Sequence, residues 1–195
     1  MKTNILFSLI LFGLMSMNAT AQDTGSRFSI ELGAGPSFAT SKLAGSSLNT
    51  GAGIEGVLHY RFMPHTGVYV GWGWNRNSSD NSFAGNDMDF EETGYVFGLQ
   101  FLHPIADGRL SYYLRAAGLY NHIEVENSDG DIIHDTGHGL GWQLAAGIDL
   151  PVGGNWSLTP GLKFNALSRE LDMGEVTEDL DLRYLTVRIG VAKGF

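Results

Sequence analysis

The sequence predicts an all-β chain: an eight-stranded antiparallel up-and-down barrel that crosses a membrane, preceded by a cleavable signal peptide. Three observations predict it. Eight segments alternate oily and polar residues with the period of two that places side chains on opposite faces of a strand. The connections between them alternate short and long, as in barrels with short turns on one side of a membrane and loops on the other. The oily parity carries more aromatic rings than an eight-stranded barrel can enclose.

The first twenty-one residues read as a processing signal. Lys2 supplies a positive start, the apolar run from Ile5 to Met15 follows, and Ala19-Thr20-Ala21 forms a small-residue cleavage site before Gln22. That run is too short for a spanning helix, which needs about 20 residues. The expected organisation is a signal over residues 1–21 and one barrel domain over 22–195.

The eight segments are 28–38, 51–62, 67–76, 90–102, 110–121, 139–150, 156–165 and 182–195. The last shows the pattern most plainly. Leu185, Val187, Ile189, Val191 and Phe195 fall on one parity, and Tyr184, Thr186, Arg188, Gly190 and Gly194 on the other. Each segment is close to the roughly 9–11 residues that a tilted strand needs to cross a bilayer. Pro36 and Pro160 fall inside segments, and each deletes a ladder donor, so local irregularities are expected there. The short connections are 63–66, 103–109 and 151–155. The long ones, expected as extracellular loops, are 39–50, 77–89, 122–138 and 168–181.

Which face points outward follows from size. The oily parity holds fifteen aromatic residues: Phe28, Phe38, Tyr60, Phe62, Trp72, Trp74, Tyr95, Phe97, Phe101, Tyr112, Tyr120, Trp142, Trp156, Phe164 and Phe195. An eight-stranded lumen is just wide enough for ordinary side chains. A soluble barrel with its oily face inward is thereby excluded, and an aromatic outer surface belongs in lipid.

On these residues the chain resembles the small outer-membrane β-barrels of the OmpA/OmpX-type superfamily. The resemblance spans 28–195 and implies a location in the outer membrane of a Gram-negative bacterium. It also implies that the last strand is read by the barrel-assembly machinery, through Val187, Ile189, Val191 and Phe195. Lys193 stands where such strands usually carry an aromatic residue. The implied surroundings are outer-membrane lipid and lipopolysaccharide, and the barrel is expected to be a monomer.

The inward parity carries Glu31, Glu55, Glu92 and Asp149 together with Arg61, Arg115, Lys163 and Arg188. Buried charges must pair, so an interior salt-bridge network is expected, with Tyr69, Gln100, Tyr113, Gln143 and Tyr184 filling hydrogen bonds. His59 is expected near the periplasmic end among Arg61 and Asp149. Balanced charge favours a closed, structural interior; a narrow gated pore for small solutes is the alternative.

Sixteen of the 21 acids fall in or beside the last three long connections. They point to a hydrated surface fringe, or to divalent-cation bridging to lipopolysaccharide or a surface ligand. Asp129-Gly-Asp131 and His134-Asp135-Thr-Gly-His138 are the only metal-like spacings, and neither completes a ligand set. No cofactor is expected. Lipid A modification at the outer rim is a remote alternative, because His122, His134 and His138 have no assembled nucleophile–base partner. A net charge of −9 argues against nucleic acid. The absence of cysteine excludes disulfides and thiolate chemistry.

Overall fold

A computed structural model describes residues 26–106, 109–174 and 176–195. The expected signal peptide and Glu175 of the last connection lie outside the described residues. Ten antiparallel strands form one sheet: β1 (Phe28–Ala39), β2 (Gly51–Arg61), β3 (Thr66–Ser82), β4 (Gly85–Pro104), β5 (Ser111–Glu126), β6 (Ile132–Asp135), β7 (Gly139–Gly153), β8 (Trp156–Leu158), β9 (Gly161–Asp172) and β10 (Thr177–Gly194).

Eight staves make the barrel. β1 to β5 pair in sequence, β5 pairs with β7, β7 with β8 and β9, and both of these with β10. β10 then pairs with β1, Leu32 lying opposite Val191, and closes the cylinder. Phe195 N–H adds a bond of 2.9 Å to Phe28 C=O. Closure leaves the membrane-spanning staves with no open edge, the condition for a sheet in lipid.

The seventh stave is split into β8 and β9 by Pro160, which has no N–H. Neighbouring bonds carry the sheet across the gap. Thr159 and Gly190 exchange backbone bonds of 2.8 and 3.2 Å, and Pro160 C=O accepts from Ile148 N–H at 3.0 Å. Pro36 stays within β1, where the β10 register runs from Ala34 to Ser37 unshifted.

The long connections differ from expectation. Residues 77–82, 85–89, 168–172 and 177–181 are not loops but continuations of the staves: β3 runs to Ser82 and turns into β4 at Gly85, β9 runs to Asp172, and β10 starts at Thr177. β5 extends to Glu126 and pairs there with β6. Among the described residues, 40–50 forms no strand. It folds over the mouth, its chain reversed by a tight turn at Ala44 and Gly45, both with positive φ. Asn49 N–H bonds Ser78 C=O at 2.8 Å, and Ser79 Oγ donates to Ser47 C=O at 2.8 Å.

The cause is a change of parity at the membrane surface. Within the membrane the oily side chains point out: Leu32, Tyr95, Leu140 and Ile189 are all more than half exposed on the outer wall. None of the fifteen outward aromatics is buried, and Trp142 packs on Phe164 with ring centroids 5.4 Å apart. Above that band the oily side chains point in. Phe90, Ile123, Val125, Leu171 and Leu180 are buried on strands whose outer face there carries Glu91, Glu124, Glu126, Glu170 and Asp181. With Leu119, Leu167, Leu182 and Leu43 from the folded connection they form one apolar cluster in the extracellular half. Burying a large aliphatic side chain contributes about 1.5–3 kcal/mol. The cluster stabilises the barrel's upper end as a soluble protein's core would.

Candidate functional site

Below the apolar cluster the lumen is polar, and its side chains stack in layers. Glu31 is the hub nearest the periplasmic end. Arg115, on the opposite wall, donates to both its oxygens, at 2.5 and 3.2 Å, and Arg188 donates to Oε1. All three side chains are 2% exposed. Arg115 also donates to Gln100 Oε1 at 2.8 Å and stacks over the Tyr113 ring at 4.6 Å. His59 does not sit among Arg61 and Asp149. Its Nε2 lies 3.5 Å from Glu31 Oε2 and 3.4 Å from Arg115, because β2 pairs with β1 at a register that sets His59 opposite Ser29, two residues from Glu31.

The next layer centres on Glu55, which accepts from Lys163 Nζ at 2.9 Å and from Gln143 Nε2 at 2.7 Å. Gln143 in turn accepts from Tyr69 Oη at 3.1 Å. Arg188 Nη1 stands 3.9 Å from Glu55 Oε1, linking the two layers. Above these, Glu92 accepts from Tyr184 Oη and Asn121 Nδ2, and Asn165 donates to Tyr184 Oη at 2.7 Å.

Of the eight interior residues read from the sequence, Glu31, Glu55, Arg115, Lys163 and Arg188 therefore meet in ion pairs. Glu92 is held by neutral donors instead. Asp149 lies lower and accepts from Ser157 Oγ at 3.1 Å. Arg61 lines the periplasmic mouth. Val187, Ile189 and Val191 are exposed on the outer wall, and Phe195 ends the chain at its periplasmic edge.

An interior arginine escaped the sequence reading. Arg169 of β9 is buried between the polar layers and the apolar cluster. Its guanidinium donates to the backbone carbonyls of Asn121, Gly139, Leu140 and Ser168. It sits at the top of the β5–β7 pairing, where Asn121 lies opposite Gly139, and gives the carbonyls there a charged donor. Its parity with Lys163 and Asn165 was the available signal.

Outside the lumen, the upper outer wall carries a second polar group. Arg76 bonds Asp89 at 2.5 Å and lies 3.4 Å from Glu91, which also accepts from Trp74 Nε1 at 2.7 Å. His122 Nδ1 lies 3.0 Å from Asp135 and 3.9 Å from Glu124, and its ring stacks on His138 at 4.3 Å. Asp135 thus joins His122 across the β5–β6 pairing, and not its neighbour His134. Burial raises the Asp135 carboxyl, but the Gly137 N–H and His122 outweigh it and hold it below the usual aspartate range. Glu126 is pushed up, by burial first and then by Glu91.

A closed sheet with an aromatic belt outside and paired charges inside defines an integral protein of a bacterial outer membrane. The chain belongs to the outer membrane protein beta-barrel domain family, whose model matches residues 7–195. Solved structures share the fold. Neisserial surface protein A aligns with 17% identity over 88% of this chain and 99% of its own, at a TM-score of 0.66. OprG of Pseudomonas aeruginosa aligns with 10% identity over 88% and 98%, at 0.57. Outer membrane protein W of E. coli aligns with 13% identity over 89% and 100%, at 0.56. No curated protein matches the chain in sequence.

Proposed function

We propose that the protein is a closed outer-membrane stave with a structural or surface-interaction role, presenting acidic hairpins to the exterior. One observation carries the reading: the lumen is crossed by two packed layers, the Glu31 and Glu55 ion pairs below and the apolar cluster above. Two seals of opposite chemistry act in series, and moving one leaves the other in place. The strands of the β3–β4 and β9–β10 hairpins carry Glu91, Glu170, Asp172 and Asp181 on their outer face. Partners of this surface are lipopolysaccharide, through bridging divalent cations, or a ligand on another surface. Neisserial surface protein A, similar in fold, is by its name a surface protein. Val187, Ile189, Val191 and Phe195 serve as the segment read by the barrel-assembly machinery. The barrel acts as a monomer and performs no catalysis.

A narrow gated pore is the second reading. It draws on Arg188, which bonds Glu31 and stands 3.9 Å from Glu55, so that exchange between the two acids would loosen the lower seal. The deciding experiment shortens each extracellular hairpin separately and scores envelope integrity, surface binding and solute flux. Loss of binding or of integrity with unchanged flux supports the proposal. Flux that rises when a hairpin is removed, with neither other property altered, supports the pore.

A further inference from the structure

The fold assembles a ligand set that no single stretch of the sequence contains. His122 and Glu124 are two residues apart on β5, so their side chains share its outer face. Asp135 of β6 pairs directly opposite Glu124. His122 Nδ1 lies 3.0 Å from Asp135 Oδ1 and 3.9 Å from Glu124 Oε1, and one ligand atom from each residue falls within 4.8 Å of the other two. Neighbours hold the arrangement. His138 stacks on the His122 ring at 4.3 Å and 15°, covering its face and leaving the in-plane Nδ1 toward the acids. Gly137 N–H donates to Asp135 Oδ1 at 2.7 Å. Thr136 N–H donates to Ile123 C=O at 3.1 Å, and Ile123 N–H to Thr136 Oγ1 at 2.9 Å, which ties the end of β6 to β5. The surrounding charge is one-sided. Arg76 takes Asp89, Glu91 and Glu126, while Glu124 stands opposite Glu91 in the β4–β5 register. Asp89, Glu91, Glu124, Glu126 and Asp135 outnumber Arg76 and His122 even when the ring is protonated, and a divalent cation relieves that excess.

We propose that His122, Glu124 and Asp135 form an extracellular site for a divalent transition metal of the zinc class. The donor set selects the ion: calcium and magnesium take oxygen ligands, whereas imidazole suits zinc and its neighbours. Bonds of about 2.0–2.2 Å in a tetrahedron place ligand atoms about 3.3 Å apart, between the 3.0 and 3.9 Å found here. The metal takes the place of the proton between His122 and Asp135. Nδ1 coordinates, the ring keeps one proton on Nε2, and a charged ring gives its other proton to solvent. Gly137 N–H then serves as the outer contact that orients the Asp135 carboxylate. Three protein ligands leave a fourth position. Asp135 is 45% exposed, so that position opens to solvent, where water or a phosphate oxygen of a surface partner completes the tetrahedron. Completion by a partner rests on the surface-interaction role; the metal site itself does not.

The test is calorimetric titration of the refolded, tag-free barrel in a glycoside detergent with zinc chloride, and separately with calcium chloride. One saturable zinc site is expected, with calcium far weaker. His122→Gln should weaken zinc by more than about 100-fold, beyond the 10–100-fold typical of losing an outer contact, and Glu124→Gln by at least about tenfold. His65 and His103, whose rings lie 4.7 Å apart at the periplasmic end, are the competing imidazole pair. His65→Gln breaks that pair and should leave the zinc Kd unchanged. Because His122→Gln also removes the Asp135 contact, the native chain labelled with ¹⁵N-histidine gives a second reading. One equivalent of zinc should move the His122 Nδ1 resonance and leave those of His65 and His103 in place. Absence of saturable zinc binding, equal affinity for calcium, an unchanged Kd in His122→Gln, or a shift at His65 and His103 in place of His122 overturns the proposal. Each of these leaves the surface role of the β3–β4 and β9–β10 hairpins standing, since their test is binding and envelope integrity.

Discussion

Glu31 holds two guanidinium groups from different staves, which makes Glu31→Gln the sharpest probe of the lower seal. The substitution keeps shape and one acceptor but removes the charge. Arg115 and Arg188, both 2% exposed, then lack their shared counter-ion. Removing one partner of a buried pair destabilises by about 3–5 kcal/mol. Part is recovered here: Arg115 keeps Gln100 and the Tyr113 ring, and Arg188 keeps Glu55 at 3.9 Å. The low end follows, about 3 kcal/mol, or roughly 150-fold in the folding equilibrium. The assay is urea unfolding of barrel refolded into phosphatidylcholine vesicles, read by the lipid-facing Trp72, Trp142 and Trp156. Adding Arg188→Met removes one uncompensated cation, so the double variant should be at least about 1 kcal/mol more stable than the sum of the single losses predicts. A change below about 1 kcal/mol for Glu31→Gln, or strict additivity in the double variant, would refute the counter-ion role.

Three further outcomes are expected. Arg169→Met strips four backbone carbonyls of their donor and should cost about 2 kcal/mol or more, with faster amide exchange across the upper ends of β5 and β7; Arg169→Lys should recover little, because an ammonium lacks the planar fork. Leu43→Ala opens the apolar cluster from above and should destabilise by about 2–5 kcal/mol while conductance stays at baseline, since the lower seal is intact. Asp135 titrates below its ordinary range when folded, so its contribution to β6 docking is present above the unfolded pKa and fades only as pH falls through the depressed folded value. Spin labels on β5 and β6 should therefore keep their separation at pH 5, whereas Asp135→Asn should widen it at pH 7.

The membrane-embedded part of the fold was legible because lipid makes one parity predominantly oily. Leu32, Tyr95, Leu140 and Ile189 needed no tertiary information. The rule failed at the membrane surface, where the solvent for the outer wall changes from lipid to water. There Glu91 and Glu124 face out, and Phe90 and Ile123 face in. Period two continues through the change while its hydrophobic phase inverts. A reader following the oily parity sees the strand end, and so 77–89 and 168–181 looked like loops. Arg169 was hidden by the same boundary. In the lumen, parity identifies which charges face inward but carries no axial coordinate. Pairing depends on stagger between staves, so Glu31 finding Arg115 and Arg188, while Glu92 receives Tyr184 and Asn121, required the register.

The central claim is that the lumen is sealed twice. Single-channel recording from the purified native barrel in planar bilayers, over a wide voltage range, tests it most directly. The two seals predict current indistinguishable from protein-free bilayer at every voltage. Discrete, reproducible ion-conducting steps from the native chain would contradict them.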